Sequence, residues 1–94
     1  MINQFPWRTA SVFDGEMIEN DIDWINFVNS LQDEIPKMIT DGKTDGWNDI
    51  EVINGQTVTY RYWATEEAAQ EWAALVTSRS LNGKSPTCTI DNIS

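Results

Sequence analysis

The chain has 94 residues, with fifteen acidic side chains, six basic side chains and a formal net charge of −9 at pH 7. This length suits a single domain, residues 1–94, and a hydrophobic share of 40% with five tryptophans indicates a folded chain. The negative charge argues against nucleic acid as a direct partner and against an anionic membrane surface, because both need clustered lysine and arginine.

The chain also lacks side chains that many active sites require. It has no histidine, which removes histidine general bases, Cys–His and Ser–His nucleophile pairs and most transition-metal sites. Cys88 has no second cysteine to pair with, and its alternating surroundings predict a small buried side chain on a strand. No run of about 18 apolar residues and no signal pattern is visible. We therefore predict a cytoplasmic protein with no membrane partner, no cofactor and no metal.

The first two predicted elements are a strand and a helix. Residues 7–13 are β-prone and moderately alternating. Asn20 or Asp21 is expected to cap the helix, whose apolar residues recur at spacings of three and four. They are Ile22, Ile25, Val28, Leu31 and Ile35, with Trp24 and Phe27 beside them. Pro36 is expected to end or kink this helix, because its ring removes an N–H, and a short extra turn over residues 37–39 follows.

Residues 41–46 form a loop by composition, because they are rich in aspartate and glycine. Asp41 and Asp45 invite comparison with an EF-hand calcium loop. Against that template, Lys43 stands where the second carboxylate belongs and Val52 where the bidentate glutamate belongs. Since two required ligands are missing, we predict an ordinary polar connection.

The dipeptide Asn54-Gly55 lies between two β-prone runs and predicts a β-hairpin. A two-residue loop would pair Val52 with Thr57 and divide the apolar side chains between the two faces. A three-residue loop, residues 53–55, would pair Val52 with Gln56 and gather the apolar side chains on one face. These side chains are Ile50, Val52, Val58, Tyr60 and Tyr62. Because register follows the hydrophobic face, we predict the three-residue loop.

This register places Arg61 and Trp63 on the opposite face of the hairpin, and the first strand adds Trp7 and Phe13 to the same surface. Tryptophan and arginine are enriched in binding hot spots. We therefore predict that Trp63, Arg61, Trp7 and Phe13 form a partner-binding site. The alternative is a solvated sheet face with Trp63 near its edge, because isolated exposed apolar side chains are common.

A second helix and a last strand complete the predicted order. Thr65 is a natural N-cap, and two glutamates follow it where the helix dipole favours negative charge. The apolar stripe of this helix comprises Ala68, Ala69, Trp72, Ala73, Leu75 and Val76. Residues 82–83, Asn-Gly, supply a stop signal, and the last strand is predicted over residues 87–93.

The order of strand, helix, strand, strand, helix and strand predicts an α+β fold of the ferredoxin-like βαββαβ type. In this fold, two helices lie on one face of a four-stranded antiparallel sheet. We expect the helices to cover a set of sheet side chains: Ala10, Val12, Val58, Tyr60, Tyr62, Cys88 and Ile90. The other face is expected to be open and to carry the partner-binding residues.

Two adjoining passages carry a resemblance. Residues 59–63, Thr-Tyr-Arg-Tyr-Trp, and residues 65–72, Thr-Glu-Glu-Ala-Ala-Gln-Glu-Trp, resemble a pattern common in small uncharacterised proteins of tailed bacteriophages. The resemblance implies a phage origin and the cytoplasm of the host cell, and it transfers no activity. At the level of fold, the chain is also similar to dimeric α+β barrel proteins, which pair their sheets face to face and include small monooxygenases.

Three functional hypotheses follow. The first is a non-enzymatic interaction module, a phage accessory protein, that binds a protein partner or a second copy of itself as a homodimer through the open sheet face. The second is an acidic inhibitor that mimics nucleic acid, with acidic groups such as Asp45 and Asp49. The third is a small dimeric α+β barrel enzyme or ligand-binder whose cavity would use Tyr60, Tyr62 or Asp23. No constellation of acid, base and nucleophile is visible, so enzymatic activity is not favoured.

Overall fold

The computed structural model describes residues 5–14, 22–79 and 86–93. This part of the chain forms four strands and three helices. They are β1 (Trp7–Asp14), α1 (Ile22–Gln32), α2 (Ile35–Thr40), β2 (Asn48–Ile53), β3 (Gln56–Trp63), α3 (Glu66–Thr77) and β4 (Thr87–Asn92). The predicted α+β class is confirmed, and α2 occupies the region where the sequence predicts a short extra turn.

The four strands form one antiparallel sheet in the order β2-β3-β1-β4, which confirms the predicted four-stranded antiparallel sheet. β3 lies between β1 and β2 and runs antiparallel to both, so β1 and β2 are parallel to each other. In the same way, β1 lies between β3 and β4. The parallel strands β1 and β2 are therefore separated by β3, and the parallel strands β3 and β4 are separated by β1.

The break between α1 and α2 lies before Pro36. α1 ends at Gln32, and α2 begins at Ile35 with Pro36 in its first turn. Proline is tolerated there because the N–H groups of a first helical turn have no intrahelical partner. The interruption predicted at Pro36 is thus corrected to residues 33–34, and Pro36 begins the second helix.

α3 follows the local signals of its sequence. Thr65 lies before it, and its Oγ1 accepts a hydrogen bond from the Ala68 N–H at 3.2 Å, which confirms the predicted cap. The helix ends at Thr77. The cap predicted at Asn20 or Asp21 and the stop predicted at residues 82–83 lie outside the described residues.

The turn between β2 and β3 differs from the predicted one. Ile53 pairs with Gln56 and Val52 with Thr57, so the loop contains only the dipeptide Asn54-Gly55. Their φ angles of 52° and 76° are both positive, as a type I′ turn requires. The three-residue loop is therefore wrong, and the two-residue alternative is correct. Turn chemistry set the register, because a primed turn matches the twist of the strands and Asn-Gly adopts it readily.

The helices also cover the opposite sheet face from the predicted one. The covered face carries Trp7, Thr9, Ser11 and Phe13 from β1 and Thr57, Thr59, Arg61 and Trp63 from β3. Trp63 is 0% exposed and Arg61 is 5% exposed. The prediction that Trp63, Arg61, Trp7 and Phe13 lie on an open surface is therefore wrong. The pairing of β1 with β3 keeps these four residues on one face, and the helices cover that face because the large rings of Trp63 and Phe13 fill the core.

The side chains predicted beneath the helices divide between the two faces. Cys88 and Ile90 of β4 pack against the core cluster, as predicted. The others lie on the face opposite to Trp63: Ala10, Val12, Val58, Tyr60 and Tyr62. Their placement under the helices is therefore wrong, because the face with the rings of Trp63 and Phe13 forms the core instead.

The core lies between the covered sheet face and the helices. Trp63 packs on Trp72 of α3 with ring centroids 5.5 Å apart, and Phe13 meets Phe27 of α1 edge to face at 5.3 Å. Trp63 Nε1 donates a hydrogen bond to Thr9 Oγ1 at 3.0 Å, so the polar atom of the buried ring is satisfied. The other core residues are Leu31, Ile35, Met38, Ala68, Ala69 and Val76.

We expect Trp63→Ala to lower the free energy of unfolding by about 3–5 kcal/mol, because it removes a buried indole and leaves a cavity. Trp47→Ala is the matched control, since the Trp47 side chain is 62% exposed. For this variant we expect a change within about 0.5 kcal/mol. Equilibrium unfolding in urea, followed by circular dichroism, measures both values. Equal losses in the two variants would contradict the placement of Trp63 in the core.

Candidate functional site

β2 forms one edge of the sheet and is exposed along most of its length. Among the described strands it pairs with β3 alone, and five of its six residues are exposed. Ile50 and Val52 are 51% and 53% exposed. The outer side of an edge strand has unpaired backbone N–H and C=O groups, so such a strand is a template for another strand.

The register identifies the backbone groups that point outward. In a two-residue hairpin, the residues that flank the turn exchange hydrogen bonds, and bonded and non-bonded pairs then alternate along the strands. These flanking residues are Ile53 and Gln56. Every second residue of β2 therefore directs its backbone groups toward β3. The intervening residues Ile50 and Val52 direct theirs away from the sheet.

The two sides of β2 carry different chemistry. Ile50 and Val52 lie on the helix side of the sheet, because they pair with Thr59 and with a second threonine on the covered face of β3. Asp49 and Glu51 alternate with them and lie on the open side. An added strand would therefore meet apolar side chains on one side and carboxylates on the other.

Two tyrosines of β3 hold these carboxylates in place. Tyr60 Oη donates a hydrogen bond to Glu51 Oε2 at 3.0 Å, and Tyr62 Oη donates to Asp49 Oδ2 at 3.0 Å. The bond to Glu51 raises the pKa of Tyr60 above its ordinary value of 10.0, and burial adds to the shift. Burial raises the pKa of Tyr62, and the bond to Asp49 adds to it. Both hydroxyls therefore remain protonated donors well above neutral pH.

Trp47 lies just before β2 and exposes most of its ring. Its Nε1 donates a hydrogen bond to Asp49 Oδ1 at 3.1 Å, and its backbone N–H donates to Asp45 Oδ1 at 2.9 Å. Thr44 Oγ1 anchors the preceding loop by donating to the carbonyl of Tyr62 at 2.7 Å. The polar atoms of Trp47 are thus engaged while its apolar surface faces solvent, as in many binding anchors.

Arg8 lies on the open face and already has an acidic partner. Arg8 Nη2 lies 3.6 Å from Asp91 Oδ2 on the far edge strand. The Arg8 Cζ also lies 5.2 Å from the ring centroid of Tyr60, within cation–π range. Because Arg8 is engaged in this way, Asp49 and Glu51 leave the β2 edge negatively charged.

The four predicted partner-binding residues share one sheet face, as predicted, but that face lies under the helices. Trp7 pairs with Trp63 across the two central strands, and Phe13 belongs to the core. The Arg61 Cζ lies 5.1 Å from the ring centroid of Trp72. Contact of these residues with a partner stays a prediction, and Trp7 is the one of the four that is not buried.

Sequence reasoning missed the exposed Trp47 and the pairing of two tyrosines with two carboxylates. The dipeptide Asn54-Gly55 was the signal for the pairing of tyrosines with carboxylates, because a two-residue loop places Tyr60 and Glu51 on one face. No local pattern marks Trp47, since a single tryptophan in a loop is equally consistent with burial.

Comparison with known proteins gives no match: no protein-family model, no curated protein and no solved structure matches the chain. In the described part of the chain, none of the helices is long and apolar enough to cross a membrane. The same part contains no group of three or more cysteine, aspartate or glutamate side chains arranged to hold a metal ion. Function is therefore inferred from the geometry alone.

Tyr60 and Tyr62 are the two tyrosines of the chain, so phenolate absorbance reports on this site alone. We expect both to titrate above 10.0 in the folded protein. Because the folded-state pKa is raised, the contribution of these groups to stability is complete below about 10 and is lost as the pH rises through the folded pKa.

Glu51→Gln should return the pKa of Tyr60 toward 10.0, because it removes the charge that faces the hydroxyl. Glu71→Gln is the control, since Glu71 pairs with Lys43 instead, and we expect an unchanged curve. Absorbance-monitored pH titration makes the comparison. Titration of both tyrosines at or below 10.0 in the folded wild type would contradict the hydrogen bonds.

Proposed function

We propose that the chain is a non-enzymatic protein-interaction module that takes an extended segment of a partner protein onto the outer edge of β2. The exposure of β2 carries this proposal, because five of its six residues are exposed. A strand added there would satisfy the outward backbone groups and cover the side chains of Ile50 and Val52.

The charge of this edge favours a basic partner over a second copy of the chain. In an antiparallel pair of two copies centred on Ile50, Asp49 of each copy would oppose Glu51 of the other. Like charges directly opposite destabilise a sheet, and each copy has a net charge of −9. A segment that alternates basic and apolar residues would instead place its cations beside Asp49 and Glu51 and its apolar side chains beside Ile50 and Val52.

The two ends of β2 limit the length of the partner segment that can pair with it. Trp47 stands before the strand and offers an exposed ring as an anchor. The turn at Asn54-Gly55 ends the strand. The proposed segment is therefore about as long as β2, which has six residues.

We infer in addition that the fold is ferredoxin-like, with α2 as an addition before β2. The separation of β1 and β2 by β3, and of β3 and β4 by β1, supports this inference. A role as a phage accessory protein rests on the resemblance of residues 59–72 alone. Neither inference supplies the function, because a fold hosts many functions.

A synthetic peptide that alternates lysine and valine tests the proposal. We expect it to bind with amide chemical-shift changes centred on β2, and with an affinity that falls as salt is added. The double substitution Asp49→Asn with Glu51→Gln should weaken binding roughly tenfold, because it removes two cross-strand charge pairs. Nuclear magnetic resonance titration of labelled protein measures both effects.

Val52→Pro removes an outward N–H and spares the hydrogen bonds to β3, so it should abolish binding while the domain stays folded. Asp91→Asn on the opposite edge strand is the matched control and should leave the affinity unchanged. Equal binding of a peptide that alternates glutamate and valine, or shift changes centred on β4, would contradict the proposal. If the wild type is a dimer in solution and Val52→Pro is a monomer, the strand added to β2 comes from a second copy of the chain and not from a foreign partner.

A further inference from the structure

Arg61 is a buried cation without an acidic partner among the described residues. Only 5% of the residue is exposed, and no ion pair in the described part of the chain includes it. Within the part of the chain that the structure describes, its Nε has no hydrogen-bond partner, and its Nη1 donates a long bond of 3.5 Å to the carbonyl of Gly46. Burial lowers the pKa of Arg61. Because a buried unpaired charge is unfavourable for folding, packing alone does not account for this residue.

Two cavities share Arg61 in their linings. The inner cavity has a volume of about 60 Å³, and the outer one has a volume of about 220 Å³. Arg61, Gln32 and Asn48 line both. The side-chain amides of Gln32 and Asn48 make no hydrogen bond within the described residues. The buried Arg61, the half-buried Asn48 and the exposed Gln32 therefore offer polar side chains to both cavities.

The inner cavity has an apolar wall. Phe13 of β1, Ile50 of β2, Leu31 of α1 and Trp72 of α3 contribute to this wall. A cavity needs a volume of about 10–15 Å³ for each water molecule that it holds. The inner cavity therefore has room for roughly four to six non-hydrogen atoms. A ligand that fits must be small and apolar at one end and must present an acceptor to Arg61 at the other.

We propose that the two cavities form one binding site for a small carboxylate that carries a short apolar chain. The carboxylate accepts two hydrogen bonds from the Arg61 guanidinium, whose planar fork matches it. The amides of Gln32 and Asn48 donate further bonds to the same oxygens. The chain lies in the inner cavity against Phe13 and Trp72. Asn48 and Ile50 of β2 also line this site, but its ligand does not depend on the protein partner proposed above.

Hexanoate is the probe, and titration calorimetry measures its binding to the wild-type chain in the absence of any peptide. We expect one hexanoate per chain and a Tm that rises with its concentration. Hexanamide should bind at least tenfold more weakly because it lacks the charge that Arg61 recognises. Acetate should bind more weakly than hexanoate because it lacks the apolar chain, and inorganic phosphate should not compete.

Arg61→Met should weaken hexanoate binding roughly tenfold to a hundredfold, because it removes the charged hydrogen bonds. The same substitution should raise the Tm of the free protein, since an apolar side chain of similar volume often stabilises a site that held a buried charge. Arg61→Lys keeps the charge without the fork and should weaken binding less. Arg8→Met is the matched control, because Arg8 lies on the other sheet face, and should leave hexanoate binding unchanged.

Equal affinities for hexanoate and hexanamide would overturn the proposal, as would phosphate displacing hexanoate. Arg61→Met with a lowered Tm and intact hexanoate binding would assign Arg61 a purely structural role. If Arg61→Met does not fold, Asn48→Ala and Gln32→Ala decide, because neither residue belongs to the buried core. Unchanged affinity in both of these variants would also overturn the site.

Discussion

The two-residue turn at Asn54-Gly55 is the constraint on which the rest of the sheet depends. Positive φ at both positions closes β2 onto β3 with Ile53 opposite Gln56. Because side chains alternate along a strand, this pairing places Asp49 and Glu51 on the same face as the tyrosines of β3. A turn one residue longer would invert β2 relative to β3, and the hydrogen bonds between tyrosines and carboxylates would be lost.

The covered face places aromatic rings at its two ends and small polar side chains between them. Trp63 packs on Trp72 near one end, and Phe13 packs on Phe27 near the other. Between these ends the two central strands carry the short side chains of Thr9, Ser11 and Thr59, with Arg61 opposite Thr9. Short side chains cannot fill the space that the aromatic rings hold open. The inner cavity is therefore a consequence of the residue sizes along β1 and β3.

Local rules predicted the elements, and tertiary context decided the faces. The helix after Thr65 was predictable because a cap and an apolar stripe require no knowledge of the rest of the chain. The hairpin register was not, because grouping Ile50 and Val52 with Tyr60 assumed that β2 is buried. Ile50 and Val52 are about half exposed, so burial of these two side chains does not determine the register. Arg61 could not be identified as a buried charge, since its burial depends on which face of the sheet the helices cover.

Arg61 receives only partial compensation from the residues around it. Its guanidinium lies over Trp72, which offers a cation–π contact, and Gly46 accepts one long hydrogen bond. The Gly46 backbone has a φ of +83°, and a Cβ there would lie 2.8 Å from the Ile39 Cδ1, so glycine fixes this carbonyl. Neither contact replaces the hydration that the charge has lost. A buried cation that lines a cavity and has no acidic partner among the described residues therefore supports the proposal of a bound anion.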